Sequence, residues 1–119
     1  MQPIRVADDE VWIQYSMFFV TDETGWEEAP VPVDGLAVVP GGIGVFAEDG
    51  VTPVHLEFWG EAPGEADAEF ETSTGRVRLL NGMQEPSEYG KVLELDGPGR
   101  YGFIVDSQDD EFHLRWWRI

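Results

Sequence analysis

The chain has 119 residues, 42% of them hydrophobic and 13% aromatic, enough to bury one core and too apolar for a disordered chain. It has no cysteine, which excludes a disulfide scaffold, a thiolate metal site and a cysteine nucleophile. Seven Lys and Arg against 24 Asp and Glu give a net charge of −17, a field that repels nucleic acid and anionic membrane and attracts cations and basic proteins.

The charge is unevenly spread. Val6 to Gly75 carries 16 acids and no Lys or Arg, whereas Arg76 to Ile119 carries 6 basic residues and 8 acids. The N-terminus, MQPIRVADDEVW, has no basic region followed by an apolar run, and no stretch reaches the length of a membrane span. The expectation is a soluble cytoplasmic protein.

No window carries apolar residues at helical spacing without interruption by Gly, Pro or a β-branched run. The chain reads instead as short strands divided by turn signals. Val11 to Thr21, VWIQYSMFFVT, is rich in β-branched and aromatic residues, so Trp12 to Val20 is expected to be the longest strand. Asp22 to Gly35 contains Pro30 and Pro32, cannot join a sheet interior, and is a candidate functional loop. Leu36 to Val39 and Ile43 to Ala47 are strands around the turn Pro40-Gly41-Gly42, and Glu48-Asp49-Gly50 ends the second. Val54 to Trp59, Ala66 to Thr72, Arg76 to Leu80 and Val92 to Leu95 follow. Tyr101 to Asp106 and Phe112 to Trp117 form a closing hairpin across SQDDE.

Nine or ten short strands at this spacing predict an all-β fold, an antiparallel two-sheet β-sandwich of jelly-roll-like kind, as a single domain over residues 1–119. Alternation places Tyr101, Phe103 and Val105 on one face, with Phe112, Leu114 and Trp116 beside them. Phe58, Phe70, Val77 and Leu79 are expected in the same core. His113, Arg115 and Trp117 then point the other way.

Few residues have a pattern that carries chemistry. His55 alternates with Glu57 and His113 with Arg115, the spacing of strand residues, and none of the four serines sits in a nucleophile elbow. Catalytic residues are therefore not expected. Asp106, Asp109, Asp110 and Glu111 concentrate oxygen ligands in one hairpin loop but lack the EF-hand spacing, which leaves them weak calcium candidates, and no cofactor is called for. PGGIGV, Pro40 to Val45, is followed by no helix and reads as a turn, not a phosphate cradle. Five tryptophans, Trp12, Trp26, Trp59, Trp116 and Trp117, could form a carbohydrate platform, and together with the acidic loop they leave a carbohydrate- or calcium-binding module as the alternative reading.

The acids form the more pointed pattern. GEADAEFET puts Glu65, Asp67, Glu69 and Glu71 at alternate positions, which on a strand are about 6.6–6.8 Å apart. Two base steps of DNA rise about 6.8 Å along one strand, so the carboxylates match alternate phosphates. Glu57 and Glu61 are expected on the neighbouring strand, Glu27 and Glu28 on a nearby loop, and Trp26 is the candidate exposed aromatic anchor. These nine residues make up the expected partner-binding face.

IQYSMFFV (Ile13 to Val20), the loop TDETGWEE, GLAVVPGGIGVFAEDG and the closing LELDGPGRYGFIVDSQDDEFHLRWW give a layout that resembles the competence nuclease inhibitor-like family of small β-sandwich immunity and inhibitor proteins. Tyr15-Ser16-x-Phe18, Trp26 and the Pro-Gly-Arg-Tyr turn carry the likeness. The resemblance implies a two-sheet sandwich and stoichiometric inhibition of a basic enzyme, such as a bacterial nuclease or toxin; it is the negative charge that sets direct binding to nucleic acid or membrane aside. It supplies no catalytic residues.

Overall fold

The computed structural model describes residues 2–119, which form ten strands and no helix. These are β1 (Arg5–Ile13), β2 (Met17–Asp22), β3 (Leu36–Val39), β4 (Gly42–Phe46), β5 (Gly50–Trp59), β6 (Ala68–Thr72), β7 (Arg76–Leu80), β8 (Val92–Glu94), β9 (Gly99–Gln108) and β10 (Glu111–Arg118). They build two five-stranded sheets, in the orders β1-β5-β10-β9-β6 and β3-β4-β2-β7-β8. The expected two-layer all-β architecture is present.

Antiparallel pairing throughout is not. β10 lies against β5 in parallel, with His113 opposite His55 and Trp116 opposite Phe58. β10 returns from its hairpin with β9 at the end of the sheet where β5 also begins, so the two central strands run the same way.

The expected single strand from Trp12 to Val20 is two strands. The chain reverses at Tyr15-Ser16, both in the left-handed region with φ of 57° and 61°. Gln14 and Met17 close the turn with N–H···O bonds of 3.3 and 3.1 Å. Such a turn ordinarily announces itself through Asn-Gly or Asp-Gly, and here neither is present. At the closing hairpin Asp109 and Asp110 take the same conformation, with φ of 54° and 62°.

The inward faces meet as alternation requires. Trp116, Tyr101, Phe103, Leu114, Val77 and Leu79 are each 0% exposed, Phe70 is 1% and Phe58 5%. Val105 and Phe112 pack against this core while partly buried. Truncating one of these aromatics to alanine typically costs about 3–5 kcal/mol. The Tyr101 hydroxyl leaves the core to donate to the Gly97 carbonyl at 2.6 Å and accepts from the Asp96 N–H at 2.8 Å, fixing the GPGRY turn.

The proline-containing loop after β2 is packed against the outside of the second sheet. A Cβ on Gly44 would lie 1.8 Å from the Pro30 carbonyl oxygen, and one on Gly42 would lie 2.6 Å from the Trp26 ring. The glycines of PGGIGV therefore let this loop lie directly on β4. The Pro40-Gly41 turn between β3 and β4 is the expected one.

Candidate functional site

Three walls meet at one end of the sandwich: the loop from Thr24 to Glu28, the Pro40-Gly41 turn, and the end of β6 at Glu71 to Ser73. Asp22, the last residue of β2, holds them in place and is only 1% exposed. Its carboxylate accepts from the Thr24 N–H at 2.9 Å, the Thr74 hydroxyl at 2.8 Å and the Ser73 hydroxyl at 3.1 Å, and from the hydroxyls of Thr24 and Thr72. The turn is tied in through the backbone, with Asp22 N–H donating to Gly41 O at 2.8 Å and Gly41 N–H to Glu71 O at 2.9 Å. Burial alone would raise the Asp22 pKa. The hydrogen bonds from Thr24, Thr72 and Thr74 outweigh it and hold the carboxyl well below the usual range, because they stabilise the ionised form.

The walls enclose an open cleft of about 480 Å³. Trp26 is half-buried in it, its ring 5.6 Å from that of Phe19. Glu27, Glu28 and Glu71 add three carboxylates, and the lining contains no Lys or Arg. An indole face beside unpaired carboxylates suits a guanidinium or ammonium group.

The structure brings together Trp26, Glu27, Glu28 and Glu71 of the nine expected partner-binding residues. The others lie elsewhere. β6 begins at Ala68, so Glu65 and Asp67 precede it and the line of four alternating carboxylates shrinks to Glu69 and Glu71. Asp67 accepts from the Val105 N–H at 3.0 Å and caps the end of the β6–β9 ladder, and Glu69 is paired with Arg100. β5 is not the neighbour of β6, because β10 and β9 intervene. Glu61 is exposed in the β5–β6 connection. Glu57 is 7% exposed and fully engaged, accepting from the His113 Nδ1 at 2.9 Å, the Trp59 indole at 2.9 Å and the Arg115 Nε at 3.2 Å. Burial pushes its pKa up, and these donors pull it below the ordinary value.

The outer face of the first sheet carries an ionic cluster whose partners sequence alternation did not identify. His55 and His113 stack at 4.7 Å between ring centroids. His55 meets Asp8 through Nδ1 and Glu111 through Nε2, both at 2.7 Å. A carboxylate on each ring nitrogen favours the imidazolium, the form that can donate from both. Burial lowers its pKa, but Glu111 and Asp8 more than reverse this and raise it. The calcium candidates are drawn into other roles: Glu111 faces His55, Asp106 lies 3.3 Å from Arg115, and Asp109 and Asp110 form the turn. Among the described residues no group of three or more His, Asp and Glu converges for a metal, and no serine hydroxyl bonds to either imidazole. Of the tryptophans, Trp116 is fully buried, Trp117 is 9% exposed over Gly102, and Trp12 is exposed. No described helix is long and apolar enough to cross a membrane.

No protein-family model and no curated protein matches the sequence. Solved structures do. ComJ, the inhibitor of the DNA-degrading activity of NucA from Bacillus subtilis, superposes with a TM-score of 0.65 over 95% of this chain and 96% of its own, at 15% identity. This chain has the ComJ fold. The product of crocagin biosynthetic gene J superposes with a TM-score of 0.62 over 96% of this chain and 98% of its own, at 14% identity. The expected likeness to a nuclease-inhibitor sandwich is met at the level of the ComJ fold. The sequences have diverged so far that the fold is what the comparison carries.

Proposed function

We propose that the chain is a single-domain, non-enzymatic protein that binds and inhibits a basic DNA-degrading nuclease or nuclease toxin. The observation that carries this reading is the fold shared with ComJ over nearly the whole of both chains. The net charge of −17 and the cation-free cleft around Trp26 support it. A nuclease holds phosphate with Lys and Arg. A carboxylate-lined cleft offers those side chains an alternative partner and an aromatic face, and so occludes the substrate path stoichiometrically without chemistry of its own.

The test begins with the immobilised protein at low salt, through which lysate of the source organism is passed and eluted with a salt step. The basic protein recovered in stoichiometric amount is purified and assayed for DNA degradation with increasing inhibitor. Activity should vanish at one equivalent, and Glu27→Lys with Glu71→Lys should weaken inhibition at least tenfold. Undiminished DNA degradation in a clear excess of the chain would overturn the reading.

A further inference from the structure

The end of the sandwich opposite the Trp26 cleft exposes four large apolar side chains. Trp12 is 58% exposed, Tyr15 68%, Phe46 46% and Val51 66%. β2 begins at this end with Met17 and reaches the cleft with Asp22. Trp12 and Val51 are cross-strand neighbours in β1 and β5. Val51 and Phe46 line a concavity of about 490 Å³ with Glu48, Asp49 and Asp110. The Tyr15 turn is fixed to the same place, with Ser16 N–H donating to Asp49 Oδ1 at 2.7 Å and Ala47 N–H to the Ser16 carbonyl at 3.0 Å. No Lys or Arg lines this concavity or the smaller one beside Trp12.

Folding does not account for Tyr15. Its φ of 57° lies where Gly, Asn and Asp are at ease and a bulky side chain is not. Its ring gains little burial in return. A bulky residue held at a strained backbone position and turned to solvent points to a role outside folding. Tyr and Trp are the residues from which interface anchors are built, and acids around them favour a partner with cations at the matching rim. A second copy of the chain would set the same acids against themselves, and nucleic acid and anionic membrane carry the same sign.

We propose that Trp12, Tyr15, Phe46 and Val51 form a docking surface for a basic protein, whose apolar patch they cover and whose Lys and Arg side chains meet the surrounding carboxylates. The surface shares with the inhibitor reading the charge of the partner and not its activity.

The test is photo-cross-linking in the source cells, with p-benzoylphenylalanine in place of Tyr15 or, as a control, of Val33, which is 90% exposed. Position 15 should give one discrete adduct, absent at position 33, with a protein in which Lys and Arg outnumber Asp and Glu. That protein, purified, should bind Trp12→Ser and Tyr15→Asn at least tenfold more weakly than the parent. The urea midpoint of Tyr15→Asn should equal or exceed the parent's, because Asn tolerates the left-handed turn, so its weaker binding cannot come from unfolding. Equal adducts at 15 and 33, a dimer of this chain, an acidic partner, or a partner indifferent to both substitutions would each overturn the proposal. A basic partner that is not a nuclease upholds the surface and removes the nuclease reading. A nuclease inhibited by the chain with no adduct at position 15 does the reverse.

Discussion

Three of the 16 acids between Val6 and Gly75 are buried anchors, which changes what the negative charge means residue by residue. Asp22 organises the cleft, Glu57 joins His113 to Arg115, and Asp9 accepts from the Ser87 hydroxyl at 2.6 Å and the backbone of Tyr89 and Lys91 at 3.0 and 3.1 Å. Asp22→Asn turns an acceptor-only group into one that presents N–H to its donors, and should cost about 2–4 kcal/mol in urea denaturation at pH 7. Because the Asp22 pKa is depressed in the folded state, its contribution is complete above the unfolded value of about 4 and is lost as pH falls further. The gap between parent and Asp22→Asn should therefore narrow at pH 3, and a constant gap would refute the linkage. His55 acts in the opposite sense. Its pKa is raised on folding, so its stabilisation is complete below about 6.5 and is lost as pH rises through the folded value. The parent should lose stability above pH 6.5 relative to His55→Gln, and parallel pH profiles would show that Asp8 and Glu111 do not hold the imidazolium.

Alternation in single strands was legible, and interruptions without a turn signature were not. VWIQYSMFFVT has the composition of one strand, and its reversal at Tyr15-Ser16 is imposed by the pairing of β1 with β5 and β2 with β4 in different sheets. The acidic strand lost its first two residues for a related reason, since Asp67 is used to finish the ladder with β9 and no longer alternates. The loop with Pro30 and Pro32 was expected to stay out of the sheets, but its seat on Gly42 and Gly44 was invisible because contact between distant segments leaves no local pattern. Gly44→Ala would drive a methyl group into the Pro30 carbonyl. It should cost about 1–3 kcal/mol and shift Trp26 emission to the red as the loop lifts. Unchanged emission would mean that the cleft wall does not depend on that seat.

The whole molecule measures 33 × 32 × 26 Å, several times the Debye length of about 8 Å at physiological salt. Under those conditions a partner senses the acids on the side it approaches, whereas near 0.01 M salt, where screening reaches about 30 Å, it senses the entire −17. Association with a basic partner should therefore slow at least tenfold between 20 and 300 mM salt, roughly the reach of electrostatic steering, with dissociation changing much less. A salt-independent association rate would exclude steering. The same self-repulsion predicts that moderate salt raises the urea midpoint of the isolated protein, a measurement that needs no partner.

The sequence by itself determined the all-β class, the inward aromatic set and the excess of negative charge, because strand alternation and composition are local or additive properties. Only the tertiary structure decided which acids are buried anchors, which four expected residues line the Trp26 cleft, and that β5 and β10 run in parallel. Those outcomes depend on which strands become neighbours. That choice is made by long-range packing of two sheets, where a carboxylate on a strand can meet solvent, an arginine or a buried threonine with no change in the residues beside it.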